Sequence, residues 1–558
     1  MKAKSPAARP KRDESPAPAS PVDRRRFLGQ LGVGAASIAA LTASRAKAAP
    51  VPPGKDVGSS AGYQSFRQAR AYELRIAAAD MARNRPFVAH ASNGDETRYG
   101  NRIGSFSKGL PHNSLGEVDG VAYGAFLGAI ASGTMAEFDR IPMGGAVKLT
   151  NPLAGLAFDL EGPDSHHLTQ PPAPTIASAE GGADLGENYW MALSRDVPFV
   201  DWDTSSVIAD AAADLSGFSG FQGPKAQGRI TPETIFRGST PGDLVGPYLS
   251  QFLWMDIPMG ALRVDQRIWT MPTGRDFLTS YEDWLAVQNG LVVSPHPPDA
   301  TARFIRNLRD LGEWVHVDAL YQAYHQACLI LLGARAPFSA GMPYASSATQ
   351  FGFGTFGGPH ILSLVTEVAT RALKIVWYQK WFVHRRLRPE AFGGLVSNTR
   401  RGAAISPVSP DVLNSSALDA VWSKFGSYLL PMGAPEGCPT HPSYGAGHAT
   451  VAGACVTILK AWFDGSHVLS RPVVSDATGT ALVSYQGPPL TVENELDKLA
   501  SNVGLGRNAL GVHYRSDYWQ SLLLGERLAV AILEEQRDTY RELCEFSFRG
   551  FEGQTITV

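Results

Sequence analysis

The sequence predicts a mainly α protein with a core of packed helices. Three observations carry this. Apolar residues recur at three- and four-residue spacing over much of residues 300–540. Strand-like alternation is sparse. Hydrophobic residues make up 44 % of the 558 and charged residues only 18 %, enough apolar material for a large core.

The N-terminal 48 residues stand apart. Residues 1–22 are rich in Pro, Ala, Ser and charge and offer little to pack. Asp23-Arg24-Arg25-Arg26-Phe27-Leu28 then leads into an apolar small-residue run, 29–43. Ala46-Lys47-Ala48 has the small-x-small form of a cleavage site. The apolar run is shorter than the about 20 residues that span a bilayer. The layout fits a disordered leader plus a twin-arginine signal peptide. Residues 49–558 are then one domain, expected to be periplasmic or secreted and not inserted in the membrane after cleavage.

Within that domain the helices follow in order. Residues 64–83 and 121–131 read as helices among long irregular stretches marked by Pro171-Pro172-Ala173-Pro174 and the Gly/Ser-rich 216–223. From about 300 the pattern strengthens. Residues 302–332 read as one or two helices, and 361–387 as a long helix stopped by Pro389. Residues 447–463 are small and β-branched, the composition of a fully buried helix. Residues 493–505 and 516–536 complete the set, so 300–540 hold the helical core. No repeat of 20–50 residues is visible.

Charge narrows the function. Residues 1–48 hold ten Lys/Arg and three Asp/Glu, so 40 basic and 49 acidic residues remain, a balance of −9. A protein of that charge has no broad footprint for nucleic acid. Any positive patch in it is local. Of the four cysteines, Cys328 and Cys455 lie in apolar runs and read as buried thiols. No pair with Cys438 or Cys544 has zinc-ribbon or Cys-x-x-Cys spacing.

Three clusters carry chemistry. In Lys380-Trp-Phe-Val-His384-Arg385-Arg386-Leu-Arg388-Pro389, four long cations fall within nine residues at a helix end. Eight residues of ideal helix span about 12 Å, so Lys380 and Arg388 share an anion only if Arg388 folds back. Pro389 favours that by holding Arg388 out of helical geometry. In Thr440-His441-Pro442-Ser443-Tyr444-Gly445-Ala446-Gly447-His448, a Gly-rich turn feeds an apolar helix. The free N–H groups of a first turn form an anion site, and His441 and His448 bracket it as possible proton carriers. In Arg507-Asn-Ala-Leu-Gly511-Val-His513, six residues of continuous helix would turn the two side chains apart. Gly511 suggests a break that turns both inward. Taken singly, each has a plain reading: a solvated basic face, an ordinary turn, a helix–turn–helix corner. Together they suit a tetrahedral oxyanion such as phosphate or a phosphate mimic.

The order Lys-x7-Arg-Pro, Gly-His at a helix start, and Arg-x5-His resembles the vanadium-dependent haloperoxidases. These share a superfamily with type-2 phosphatidic acid phosphatases and bacterial acid phosphatases. The likeness extends to Ser105-Phe-Ser-Lys-Gly-Leu-Pro-His112, Leu156-Ala-Phe-Asp-Leu-Glu-Gly-Pro-Asp-Ser-His166, Tyr248-Leu-Ser-Gln-Phe252, Val317-Asp-Ala-Leu-Tyr-Gln-Ala-Tyr324 and Gly352-Phe-Gly-Thr-Phe-Gly-Gly-Pro-His360. It is similar to the algal-type bromoperoxidases over most of residues 60–540.

The resemblance implies a helix-bundle core and a vanadate (vanadium V) cofactor. It makes His513 the imidazole bound to the metal. Lys380, Arg388, Arg507 and the Gly447 N–H become partners of the vanadate oxygens. His448 hydrogen-bonds the apical oxygen and becomes the acid–base group for peroxide, Lys380 helps polarise peroxide, and His441, also counted as catalytic, lies near the halide. It further implies hydrogen peroxide, halide (bromide or iodide, chloride left open) and small organic acceptors as partners, with Gln379 and Trp381 tuning the halide, and a homo-oligomer. One departure stands out: the family's Ser-Gly-His is Ala446-Gly447-His448 here. A calcium ion held near the site in some algal members finds no Asp or Glu between 334 and 366. Two other readings use the same residues. One is an acid phosphatase with a His513 phosphohistidine and His448 as proton donor. The other is a non-catalytic oxyanion-binding or shell protein.

Overall fold

A computed structural model describes residues 60–558, so the leader and signal peptide expected from the sequence lie outside the described residues. The described residues are mainly helical, with three two-stranded antiparallel ribbons at 257–264, 473–484 and 547–557. The expected helices are present as Ser60–Asn84, Gly120–Ser132, Gly358–Tyr378, Gly447–Trp462, Val492–Ala509 and Arg515–Arg537. The 302–332 region is two helices, Leu308–Val317 and Gln322–Gly333, broken at Asp318.

The Gly447–Trp462 helix is the centre of the fold. All but one of its residues are buried. It packs against Arg515–Arg537, Gly358–Tyr378 and Val492–Ala509. Its crossing with Arg515–Arg537 is set by two glycines. A Cβ on Gly453 would lie 2.0 Å from the Leu522 carbonyl oxygen, and one on Gly525 would lie 2.1 Å from that of Thr450. The two backbones therefore approach to a distance that no side chain permits.

Two helix breaks place the site. The Gly358–Tyr378 helix ends in a π-helical turn, Gln379–His384, and the chain reverses at Arg385 with φ 41°. The helix thus stops short of the expected Leu387, and Pro389 does not stop it. Pro389 instead opens the next helix, Pro389–Arg400, with Arg388 extended at its cap. Proline suits that first position because its missing N–H is not needed there. The second break is at Gly511, φ 85°, between Val492–Ala509 and Arg515–Arg537.

One buried helix, Ala179–Ser194, escaped the reading of periodicity. Its buried residues include Asp184, Glu187 and Asn188, which scramble the apolar spacing. These groups are not errors of burial. Glu187 grips Arg515 (2.5 Å) and Asp184 grips Arg386 (3.1 Å). All four cysteines are free thiols, with Cys328 and Cys455 buried as expected. Among the described residues no helix is long and apolar enough to cross a membrane.

Candidate active site

The two breaks and the start of the central helix bring the three sequence clusters to one pocket. Lys380 is fully buried in the π-helical turn, and its ammonium donates to the carbonyls of Pro442 (2.8 Å) and Ser443 (3.0 Å). The Arg388 guanidinium folds back across the pocket. It donates through Nε to the His441 carbonyl (2.8 Å) and through Nη1 to the Val512 carbonyl (2.6 Å). Nη1 also lies 3.2 Å from His513 Nε2. Arg507, in the last turn of its helix, donates to the Val315 carbonyl (2.8 Å), while its buried Nε has no partner.

His513 is oriented from behind. Its Nδ1 lies 2.9 Å from Asp517 Oδ2, and a carboxylate only accepts, so Nδ1 carries the proton. The Nε2 lone pair is then left facing Arg388, the tautomer a metal-binding imidazole needs. Asp517 is itself fixed by Ser443 Oγ (2.5 Å) and Arg386 (2.6 Å). Burial, then the charges of Arg388, Lys380 and Arg507, hold the His513 pKa well below its ordinary value. The ring is therefore neutral and its lone pair stays available.

The other two histidines differ. His448, second residue of the central helix, pairs through Nε2 with Asp318 (3.0 Å). Burial lowers its pKa and Asp318 opposes the drop. A fifth of its side chain, 20 %, stays accessible, so it is the histidine open to exchange with solvent. His441 is deeper. It accepts from Arg388 at Nδ1 (2.8 Å) and lies against the Trp377 ring, centroids 4.8 Å apart. Burial and the cations Lys380 and Arg388 hold its pKa well below the usual range. The geometry makes it an acceptor for Arg388.

An anion fits this pocket. Among the described residues, none of Lys380, Arg388 and Arg507 makes an ion pair with a carboxylate; their partners are carbonyls and the ring nitrogens of His441 and His513. Burying an unpaired charge costs several kcal/mol, and a bound oxyanion offsets that cost for all three at once. Burial and the neighbouring cation Arg388 already pull Arg507 down to about 10. The central helix adds a first turn that no side chain caps, since Ala446 stands at the cap. Its N–H groups, Gly447 first, are free for the same anion.

The motifs also contained groups that do not line the pocket, Arg386 reaching it only through Asp517. Arg385 pairs with Glu96 (2.6 Å), and Arg386 with Asp184 and Asp517. Gln379 donates to the Leu168 carbonyl (2.8 Å), and Trp381 packs on Phe106 and Phe126. These contacts point Gln379 and Trp381 away from Lys380, Arg388 and His513. Asp517, Ser443 and Asp318 were not singled out from sequence. For Asp517 a signal existed: a carboxylate four residues beyond a candidate ligand histidine, at a helix start.

Comparison with known proteins gives concordant results. Residues 361–542 match the family model described as the VCPO second helical-bundle domain. The chain is 39 % identical to a vanadium-dependent bromoperoxidase of Corallina pilulifera, over 90 % of this chain and 100 % of that one. It is 36 % identical to a vanadium-dependent bromoperoxidase of Ascophyllum nodosum, over 88 % and 92 %. The fold superposes with a TM-score of 0.85 on the homohexameric structure of the second vanadate-dependent bromoperoxidase of Ascophyllum nodosum. That match covers 92 % of this chain and 93 % of the other, at 30 % identity.

Proposed function

The chain belongs to the vanadium-dependent haloperoxidases, and from that premise we propose how its residues hold the cofactor and divide the chemistry. The enzyme oxidises halide with hydrogen peroxide. The observation that carries the assignment is the set of three buried cations, free of carboxylates, around a neutral His513 whose Nε2 is unprotonated. His513 binds the metal. Lys380, Arg388, Arg507 and the Gly447 N–H hold the vanadate oxygens by charge-assisted hydrogen bonds.

Vanadate supplies a Lewis acid that activates peroxide. The remaining work falls to the chain. Asp517 keeps the proton on His513 Nδ1, and Arg386 and Ser443 keep Asp517 in place. Lys380 and Arg388 present preorganised positive charge to whatever negative charge develops in the pocket. His448 would take and return a proton at Nδ1, with Asp318, paired at Nε2, steadying its charged form. His441 and Trp377 form a neutral wall beside Arg388 and suit a halide there. Bromide and iodide are the proposed halides, supported by relatives that are bromoperoxidases.

A phosphatase would use the same pocket, with His513 attacking phosphorus. The named relatives over nearly the whole chain are bromoperoxidases, so that reading is not favoured. A chromogenic phosphate ester separates the two: no hydrolysis is expected from the vanadate-free protein, and efficient hydrolysis would reverse the order.

Ala446 gives a further test. It is wholly buried at the cap of the central helix and offers no oxygen. Ala446→Ser adds a hydroxyl beside the anion and a favourable cap residue. A charged hydrogen bond contributes roughly 1.5–3 kcal/mol, so vanadate is expected to bind at least about tenfold more tightly. The cap raises stability by about 1 kcal/mol, read as a higher Tm of the vanadate-free protein.

The chain is proposed to assemble with copies of itself, as its homohexameric relative does. Asp159 and Glu161 turn inward to pair with Lys374 (2.8 Å) and Arg371 (2.7 Å). Phe158 and Leu160 between them are 81 % and 101 % exposed, the reverse of what water favours. Phe158→Ser with Leu160→Ser is expected to shift the mass in light scattering to a smaller species. The same mass as the parent would remove this face from the interface. Export by the twin-arginine route is proposed on the Arg24-Arg25-Arg26 run and the apolar segment after it.

A further inference from the structure

The Lys108–Glu390 pair lies outside the pocket and has no role in the account above. Glu390 stands two residues after Arg388, in the first turn of the Pro389–Arg400 helix. It is buried, 1 % exposed, and its charge acts on Arg388 through space, as that of Asp517 does. Asp517 is committed to His513, Ser443 and Arg386. Glu390 is committed elsewhere too. Lys108, itself 4 % exposed, reaches it at 2.7 Å. The chain wraps the other carboxylate oxygen: Cys438 N–H donates to it at 2.7 Å. At Gly437, φ 66°, a Cβ would lie 1.9 Å from that oxygen. Lys108 also donates to the carbonyls of Glu436 (2.7 Å) and Cys438 (2.6 Å). Its ammonium thus donates to two carbonyls and meets the Glu390 carboxylate as an ion pair, with no hydrogen bond to Oε1.

We propose that Lys108 is a positioning residue for the oxyanion cradle: it neutralises Glu390 and so reserves Arg388 for the bound anion. The inference rests on the vanadate reading for the identity of that anion. It does not rest on it for the charge logic. A buried carboxylate without a cation of its own would lower the potential at Arg388 and compete with any oxyanion. The same lysine also ties down the 436–438 turn, which runs on to His441. A purely structural role is therefore the rival explanation, and the two make different forecasts.

The forecasts separate in a double-mutant cycle. Orthovanadate binding to the purified full-length, vanadate-free protein is measured by equilibrium dialysis with metal analysis, and inorganic phosphate is run in parallel. Lys108→Met leaves Glu390 uncompensated and is expected to weaken oxyanion binding roughly tenfold, the effect of one added charge near the site. Lys108→Met with Glu390→Gln removes both charges and is expected to return binding to within about twofold of the parent. Glu390→Gln alone should bind at least as tightly as the parent, and it tests the idea even if Lys108→Met does not fold. A double variant as weak as Lys108→Met, or a Glu390→Gln variant weaker than the parent, would overturn the proposal. If the parent binds phosphate but not vanadate, the haloperoxidase reading fails, while the ranking of variants on phosphate still decides this one.

Discussion

His513→Ala abolishes peroxide-dependent bromide oxidation, by at least about a thousandfold in kcat/KM, and abolishes vanadate uptake with it. The physical case rests on one lone pair. His513 Nε2 is the pocket's neutral donor atom, surrounded by Lys380, Arg388 and Arg507, whose N–H groups can hydrogen-bond oxygens but cannot bond to the metal. Without it the cations still attract an oxyanion, but nothing binds vanadium directly. Asp517→Asn is the informative companion. The asparagine amide can donate to Nδ1, which moves the ring proton to Nε2 and occupies the lone pair. Loss of such an outer partner typically costs 10–100-fold in metal affinity, and that is the expected drop. Circular dichroism and Tm close to the parent's would show that the losses arise at the site.

His448→Ala separates holding from turnover. His448 contributes no ligand in this account, so vanadate uptake should fall less than about tenfold. General acid–base groups contribute typically 10²–10⁴-fold, and kcat should fall by about that much. Full bromination rate in this variant would end the proton-transfer assignment. The pH profile gives the sign. His448 must be neutral to accept a proton, and burial lowers its pKa while Asp318 raises it. Asp318→Asn removes the raising influence, so the pKa falls further. The acid limb of the rate profile should then move to lower pH. A shift to higher pH would contradict the pairing seen at 3.0 Å.

What the sequence disclosed about this site follows the length of chain over which each contact is made. Lys380, Arg388, Gly447, His448, Arg507 and His513 sit in three short runs with tell-tale neighbours, Pro389, Gly447 and Gly511. Each run could be read without knowing what packs against it. Asp318 could not, because it meets His448 across 130 residues, at a break inside a stretch that periodicity left as one or two helices. Lys108 meets Cys438 across 330 residues, and nothing beside it in the chain marks that partner. The helix Ala179–Ser194 was hidden for a related reason. Its Asp184 and Glu187 are buried only because Arg386 and Arg515 arrive from distant helices to meet them. Helix ends were legible where a proline or glycine marks them. The stop at Arg385 has neither, since a non-glycine residue takes the left-handed conformation there. Tertiary contacts stabilise that turn: the Arg385 carbonyl accepts from Phe106 N–H (2.9 Å), and its guanidinium pairs with Glu96.

The central claim is that this pocket is a vanadate site on which peroxide oxidises halide. The measurement that reaches it most directly is bromination of a chromogenic acceptor by purified, vanadate-free protein with hydrogen peroxide and bromide, before and after orthovanadate is added. The account requires no activity before, activity that saturates near one vanadate per chain after, and suppression by excess phosphate. Activity that is indifferent to vanadate, or none at any halide once vanadate is shown to be bound, would contradict it.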